Sequence, residues 1–163
     1  ILCHHNYEAG KGVTQMQDII DGMDEIRFGG RLHDLVRLSL STTKKMKLFD
    51  HLELKRPFHL VIDTISHGYT GMASWESMAM QQAVICRMDG PSLGCYSKAF
   101  GSVPPIFNVR TPDDVVVTLE NLIRNPKKAE DAAAINREWI CANYTAEKII
   151  PRYEAIYKAV LKK

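Results

Sequence analysis

The 163 residues contain no apolar run close to the roughly 18 needed to cross a bilayer, so no membrane-spanning segment is expected. Charge of one sign is lacking too. Twenty-one Lys and Arg against 19 Asp and Glu leave a net charge of +2, so a generic polyanion binder is not indicated and no nucleic-acid partner is expected. Cysteine is sparse. Cys3, Cys86, Cys95 and Cys141 show neither a CxxC pair nor zinc spacing, so reduced thiols in a cytoplasmic protein are expected rather than a disulfide framework. There is no Asp-x-Asp pair at a loop, and the adjacent His4 and His5 would point to opposite faces of a strand, so no metal site is expected. Internal repeats and low-complexity tracts are absent. The chain opens on Ile1-Leu2-Cys3-His4-His5 without an initiator Met or signal peptide, and it reads as a strand already under way in a longer polypeptide.

What is present is an alternation of short apolar runs and helical periods. The spacing of Met16, Ile19, Ile20, Met23 and Ile26 predicts a helix over 14–28 with Thr14 as its cap. Residues 35–40 read as a strand, followed by a helix near 43–55 with Met46, Phe49 and Leu52 inward. Phe58–Asp63 and Ala83–Cys86 are nearly continuous apolar runs, as expected of strands covered on both faces, with a helix over 71–81 between them. Residues 88–102, with Gly90, Pro91, Gly94 and Gly101, read as a loop holding at most a short helix. Pro105–Val109 looks like a last strand. Thr111-Pro112-Asp113-Asp114 then starts a helix whose inner face is Val115, Leu119, Leu122 and Ile123. Two further helices follow, one near 127–142 and one from Thr145 with Ile149, Ile150, Tyr153, Ile156, Tyr157, Val160 and Leu161 on one stripe. The pattern predicts an α/β fold: a doubly wound, Rossmann-like parallel sheet of about six strands, closed by C-terminal helices. Ligands of such sheets sit beyond the strands' carboxyl ends, which directs attention to loops 4–14, 39–44, 63–72 and 86–100.

Two of those loops carry chemistry. Gly10-Lys11-Gly12 follows the first strand and precedes a helix, where glycines admit a phosphate to the backbone and Lys11 supplies a point charge. It lacks the spacing of a nucleotide P-loop, and a plain turn would read the same. His67-Gly68-Tyr69-Thr70-Gly71 leads into the helix after Asp63, so free amides at Gly71, Met72 and Ala73 would face the cleft with the positive end of the helix dipole. Glu76, one turn further, suits a ribose diol as an acceptor; the plain alternative is an exposed helix acid. His67 and Arg87 border the same cleft as weaker candidates, each with a solvated loop residue as the competing reading. Trp75, Trp139 and the methionines of the 71–81 helix read as packing residues.

At this point the sequence resembles a known family. Met72-Ala73-Ser74-Trp75-Glu76-Ser77-Met78-Ala79-Met80, then Gln81-Gln82-Ala83-Val84-Ile85, looks like the glutamate-alanine-methionine-alanine block and proline-valine-isoleucine strand of the retaining, nucleotide-sugar-dependent GT-B-fold glycosyltransferases, often called glycosyl transferases group 1. His4 through Gly12, Asp63 with Gly68-Tyr69-Thr70-Gly71, Ile106–Val109 with Thr111-Pro112-Asp113, and the closing Trp139, Tyr144, Tyr153 and Tyr157 extend the similarity over nearly the whole chain. The resemblance implies one half of a GT-B fold, with residues 1–163 as the C-terminal domain that binds a nucleotide diphosphate sugar. The acceptor-binding N-terminal domain would be a missing partner, and the fragment would be inactive without it.

By position, Lys11 would be the catalytic contact to the departing diphosphate, with Gly12 and the amides at Gly71 and Met72. Glu76 would hold the ribose hydroxyls, and Gly68 and Tyr69 would border the donor sugar. Three departures from the family pattern stand out. Gly68 replaces a common acid eight residues before Glu76, His5 stands in for a basic residue ahead of Lys11, and Gln81-Gln82-Ala83 replaces glycine-lysine-proline. No cofactor or metal is implied beyond the nucleotide sugar. The basic end, Lys158, Lys162 and Lys163, reads as a solvated terminus first and a peripheral contact to an anionic membrane second. The competing functions are a nucleotide-sugar epimerase half of the same architecture and a degenerate, non-catalytic binding module.

Overall fold

A computed structural model of the chain describes residues 2–5, 39–42 and 47–161, the first two segments as backbone only. The strands are β1 (Leu2–His5), β2 (Ser39–Thr42), β3 (Leu60–Ile62), β4 (Ala83–Cys86) and β5 (Phe107–Asn108). The helices are α1 (Leu48–Lys55), α2 (Met72–Ala79), α3 (Gly90–Phe100), α4 (Pro112–Arg124), α5 (Pro126–Asn143) and α6 (Ala146–Leu161). All pairings are parallel, in the order β2-β1-β3-β4-β5.

The architecture corrects the sequence reading. The six-stranded, doubly wound Rossmann-like sheet, and with it one half of a GT-B fold, is not what these residues build. Helices make up most of the described chain, and within the continuous stretch 47–161 the sheet is only the three strands β3, β4 and β5, none longer than four residues. β1 and β2 extend it to five. Only the broad mixed α/β class survives. One cause is visible at the last strand: Pro104 and Pro105 have no N–H to give to a ladder, so pairing starts only at Phe107.

The core lies on both sides of β3 and β4. One face sets Leu60, Ile62, Ala83 and Ile85 against Val115, Leu119 and Leu122 of α4 and Ala133 of α5. The other sets Val84 and Cys86 against Met78 of α2 and Ile140 of α5. Helix α4 begins as its sequence announces, with Thr111 and Asp114 forming a reciprocal capping box around Pro112 at the first helical position. Beside α2, Trp75 stacks on Tyr144 with ring centroids 5.0 Å apart and on Trp139 at 5.8 Å, and Tyr96 and Phe100 of α3 close the cluster. The two tryptophans are packing residues.

Several local expectations change. The loop expected over 88–102 contains a full helix, α3, because Asp89 caps it by accepting from the Ser92 amide and Gly101 ends it in the left-handed region. Phe49, expected inward, is 69% exposed; α1 instead buries His51 and Lys55. The helix predicted over 14–28 lies outside the described residues. On α6 the expected apolar stripe exists, yet Ile150, Tyr153, Ile156, Tyr157, Val160 and Leu161 are all exposed.

The turn between α2 and β4 holds a side-chain-bearing residue in a region that favours glycine. Gln81 sits at φ 59°, the left-handed region, which costs a side-chain-bearing residue about 1–2 kcal/mol. Its neighbour Gln82 is buried and donates from Nε2 to the Lys55 and Phe58 carbonyls, at 2.7 Å each, tying the end of α1 to the start of β4. Gln81→Gly is therefore expected to stabilise the fold by about 0.5–1 kcal/mol, after the extra freedom of glycine in the unfolded chain is offset. A rise in thermal midpoint checks this, and an unchanged or lower midpoint would contradict it.

Candidate functional site

From β1 the chain crosses to β2 on one side, then returns to place β3 on the other side of β1. In an open parallel sheet this reversal leaves a crevice beyond the carboxyl ends of the two strands. His5 ends β1 there, and Asp63 follows β3 directly.

Asp63 is buried, and its carboxylate does the capping that Gly71, the residue ahead of α2, cannot do for itself. Oδ2 accepts from the Gly71 amide at 3.2 Å, the Ser74 amide at 3.2 Å and the Ser74 hydroxyl at 2.6 Å. The contact is close enough that a Cβ on Gly71 would lie 3.1 Å from Oδ2. The expectation of three free amides therefore needs correction. Gly71 is committed to Asp63, while the Met72 and Ala73 amides bond no acceptor among the described residues. A negative charge already sits at the head of α2, so an anion there would rely on those two amides and on a cation from elsewhere. Lys11 and Gly12, the expected source of that cation, lie outside the described residues.

Glu76 is the largest departure from a solvated helix acid. Its Oε2 lies 3.1 Å from Lys55 Nζ and 3.4 Å from His51 Nε2. Lys55 is fully buried and also donates to the Ala73 carbonyl at 2.9 Å. Burial pulls the Lys55 ammonium below the usual lysine range, against the opposing pull of Glu76. His51 is held below its ordinary value by burial first and by the Lys55 charge second. The Glu76 side chain keeps 20% of its surface open, so the carboxylate is anchored from below and reachable from outside.

The turn between Asp63 and α2 is also organised. His67 Nδ1 bonds Thr64 Oγ1 at 3.0 Å and Ser66 Oγ at 2.9 Å, and its ring meets the edge of Tyr69 at 5.6 Å. Gly68 accepts from the Asp89 amide at 2.9 Å, and any side chain at Gly68 would overlap the Asp89 carboxylate. That explains glycine at this position: an acid from the end of β4 fills the space. Asp89 titrates below the usual carboxylate range because the Ser92 amide bonds its charged form. Arg87 donates its amide to the Thr64 carbonyl at 3.1 Å, closing the base of the turn. Tyr69 and Met72 stand exposed at the rim. Cys86, beneath them, is pushed up to about 12 by burial and is no nucleophile.

The fold thus brings His67, Gly68, Tyr69, Gly71, Met72 and Arg87 to the carboxyl ends of β3 and β4, with Glu76 one turn inside α2. His51, Lys55 and Asp89 belong with them and were not singled out in the sequence. The available signal was the i, i+4 pair His51 and Lys55 on a helix preceding the glycine-rich turn, and Asp89 in the cap position before Gly90-Pro91. Among the described residues no group of three His, Cys, Asp or Glu side chains could hold a metal ion, and no helix is long and apolar enough to cross a membrane. No family model matches this chain, and no curated protein matches it either.

Proposed function

We propose that the chain is the donor-binding domain of a glycosyltransferase, holding a nucleotide diphosphate sugar whose sugar passes to an acceptor bound elsewhere. The observation that carries this reading is Glu76: a carboxylate anchored by a buried lysine, one turn below two unbonded amides, on the helix that follows β3. A ribose diol and a diphosphate in sequence would use those two features together. In this reading Lys11 and the Met72 and Ala73 amides stabilise the departing diphosphate, an electrostatic role that requires no metal. Gly68 and Tyr69 border the sugar. The acceptor and the rest of the machinery belong to an N-terminal partner domain, and the work is cytoplasmic. Peripheral membrane contact belongs to the same reading, because α6 presents apolar side chains beside Lys158.

Calorimetric titration with UDP, GDP and ADP tests the proposal. One of the three is expected to bind, and Lys11→Ala and Glu76→Gln are each expected to weaken it by about tenfold or more. No binding by any of them, or equal binding in both variants, rules the reading out.

A further inference from the structure

The Lys55 side chain is fully buried, yet it is one of the most hydrophilic groups a protein has. Its ammonium reaches two acceptors, the Ala73 carbonyl at 2.9 Å and Glu76 Oε2 at 3.1 Å, both on α2. A buried cation of this kind is a poor stabiliser, since desolvation offsets much of the attraction to its partner. The downward pull on its titration agrees, because burial outweighs Glu76. A methionine would fill the same space without that cost. Holding α1 to α2 therefore does not by itself account for the charge.

The geometry shows what it does. A carboxylate has two oxygens with roughly four acceptor directions. Lys55 and His51 both approach Oε2, from the α1 side. Oε1 bonds no donor among the described residues, and the side chain is open to solvent over a fifth of its surface. The carboxylate is thus held at one oxygen and offered at the other. A free glutamate on a helix surface would lose rotamer entropy on binding a diol, whereas this one has already been ordered in the fold.

We propose that Lys55 is a positioning residue for ribose recognition: it locks Glu76 by Oε2 so that Oε1 faces the vicinal hydroxyls of a bound nucleotide. This rests on the reading of Glu76 as the ribose group, and it adds the residue that makes the recognition selective for a ribonucleotide. Lys55 touches no ligand itself.

The test compares a ribonucleoside diphosphate with its 2′,3′-dideoxy counterpart, using whichever of UDP, GDP and ADP binds the full chain. The wild-type protein is expected to prefer the ribonucleotide by about tenfold or more. In Lys55→Met that preference should collapse towards unity while affinity for the dideoxy compound stays within about twofold. A role confined to holding helices together would weaken both ligands alike and leave their ratio intact. Lys55→Gln, which keeps a donor for the Ala73 carbonyl, replaces the methionine variant if circular dichroism shows the latter unfolded. A preserved ratio in the folded Lys55 variant, alongside a collapsed ratio in Glu76→Gln, overturns this inference and leaves the ribose role of Glu76 standing. A wild-type protein indifferent to the ribose hydroxyls overturns both.

Discussion

Glu76→Ala is expected to destabilise the chain by about 3 kcal/mol, far more than a surface helix acid warrants. The cost arises at Lys55, which is left fully buried with only the Ala73 carbonyl as partner. Urea denaturation of the variant should show it. The penalty also has a definite pH dependence. Without Glu76 the main group that holds the Lys55 titration up is gone and only the weaker pull of Asp63 remains, so its folded value drops further below that of the unfolded chain. A base with a depressed folded value gives stability that is present above its unfolded titration point and is lost as pH falls through the folded one. The defect should therefore be largest at neutral pH and shrink as pH rises towards the ordinary lysine range. Adding Lys55→Met to Glu76→Ala removes the stranded charge and should restore most of the loss. Additive losses in the double variant would show that the two side chains are not coupled. The same reasoning makes glutamine, not alanine, the right replacement when nucleotide binding is measured.

Asp63→Ala is expected to cost about 2–3 kcal/mol. One oxygen of this carboxylate satisfies the Gly71 amide and both the amide and hydroxyl of Ser74, and Ser74 is itself fully buried. Water cannot easily replace those bonds. Asp63→Asn keeps an acceptor of the same shape and should recover about half of the loss, the remainder measuring the charge at the helix head. Equal midpoints for wild type and Asp63→Ala would mean that the cap is dispensable. The consequence for the site is direct: the turn that presents Tyr69, Met72 and Glu76 is held in shape by an acid at the end of β3, not by its own glycines.

Much of this arrangement was legible from residue order. Ala83–Cys86 is a buried strand because four apolar residues in a row suit a sheet covered on both faces, and they are all buried. The α4 signal was stronger still, since cap, proline and acids agree within four residues and need nothing from the rest of the molecule. The glycine-rich turn after Asp63 was visible for the same local reason. Less local features were misread. Glycines and a proline over 88–102 argued for a loop, but a side-chain cap at Asp89 and the left-handed Gly101 are enough to frame a helix whose Tyr96 and Phe100 find partners on other elements. Counting apolar residues in α1 put Phe49 inside and ignored His51 and Lys55, because a charged residue becomes a core residue only when another helix supplies its counter-ion.

Taken alone, the order of residues determined where most helices and buried strands between 58 and 161 begin and end, and that glycines would shape the approach to α2. Those are matters of dihedral preference, capping and apolar period, all settled within a few positions along the chain. Only the tertiary structure decided how many strands join and how small the sheet is, that Asp63 takes the Gly71 amide, and that Glu76 rests on Lys55. Each of these depends on groups distant along the chain meeting at hydrogen-bond distance, 8 residues apart for Gly71 and Asp63, 21 for Lys55 and Glu76 and more for the paired strands, and no local preference encodes such a meeting.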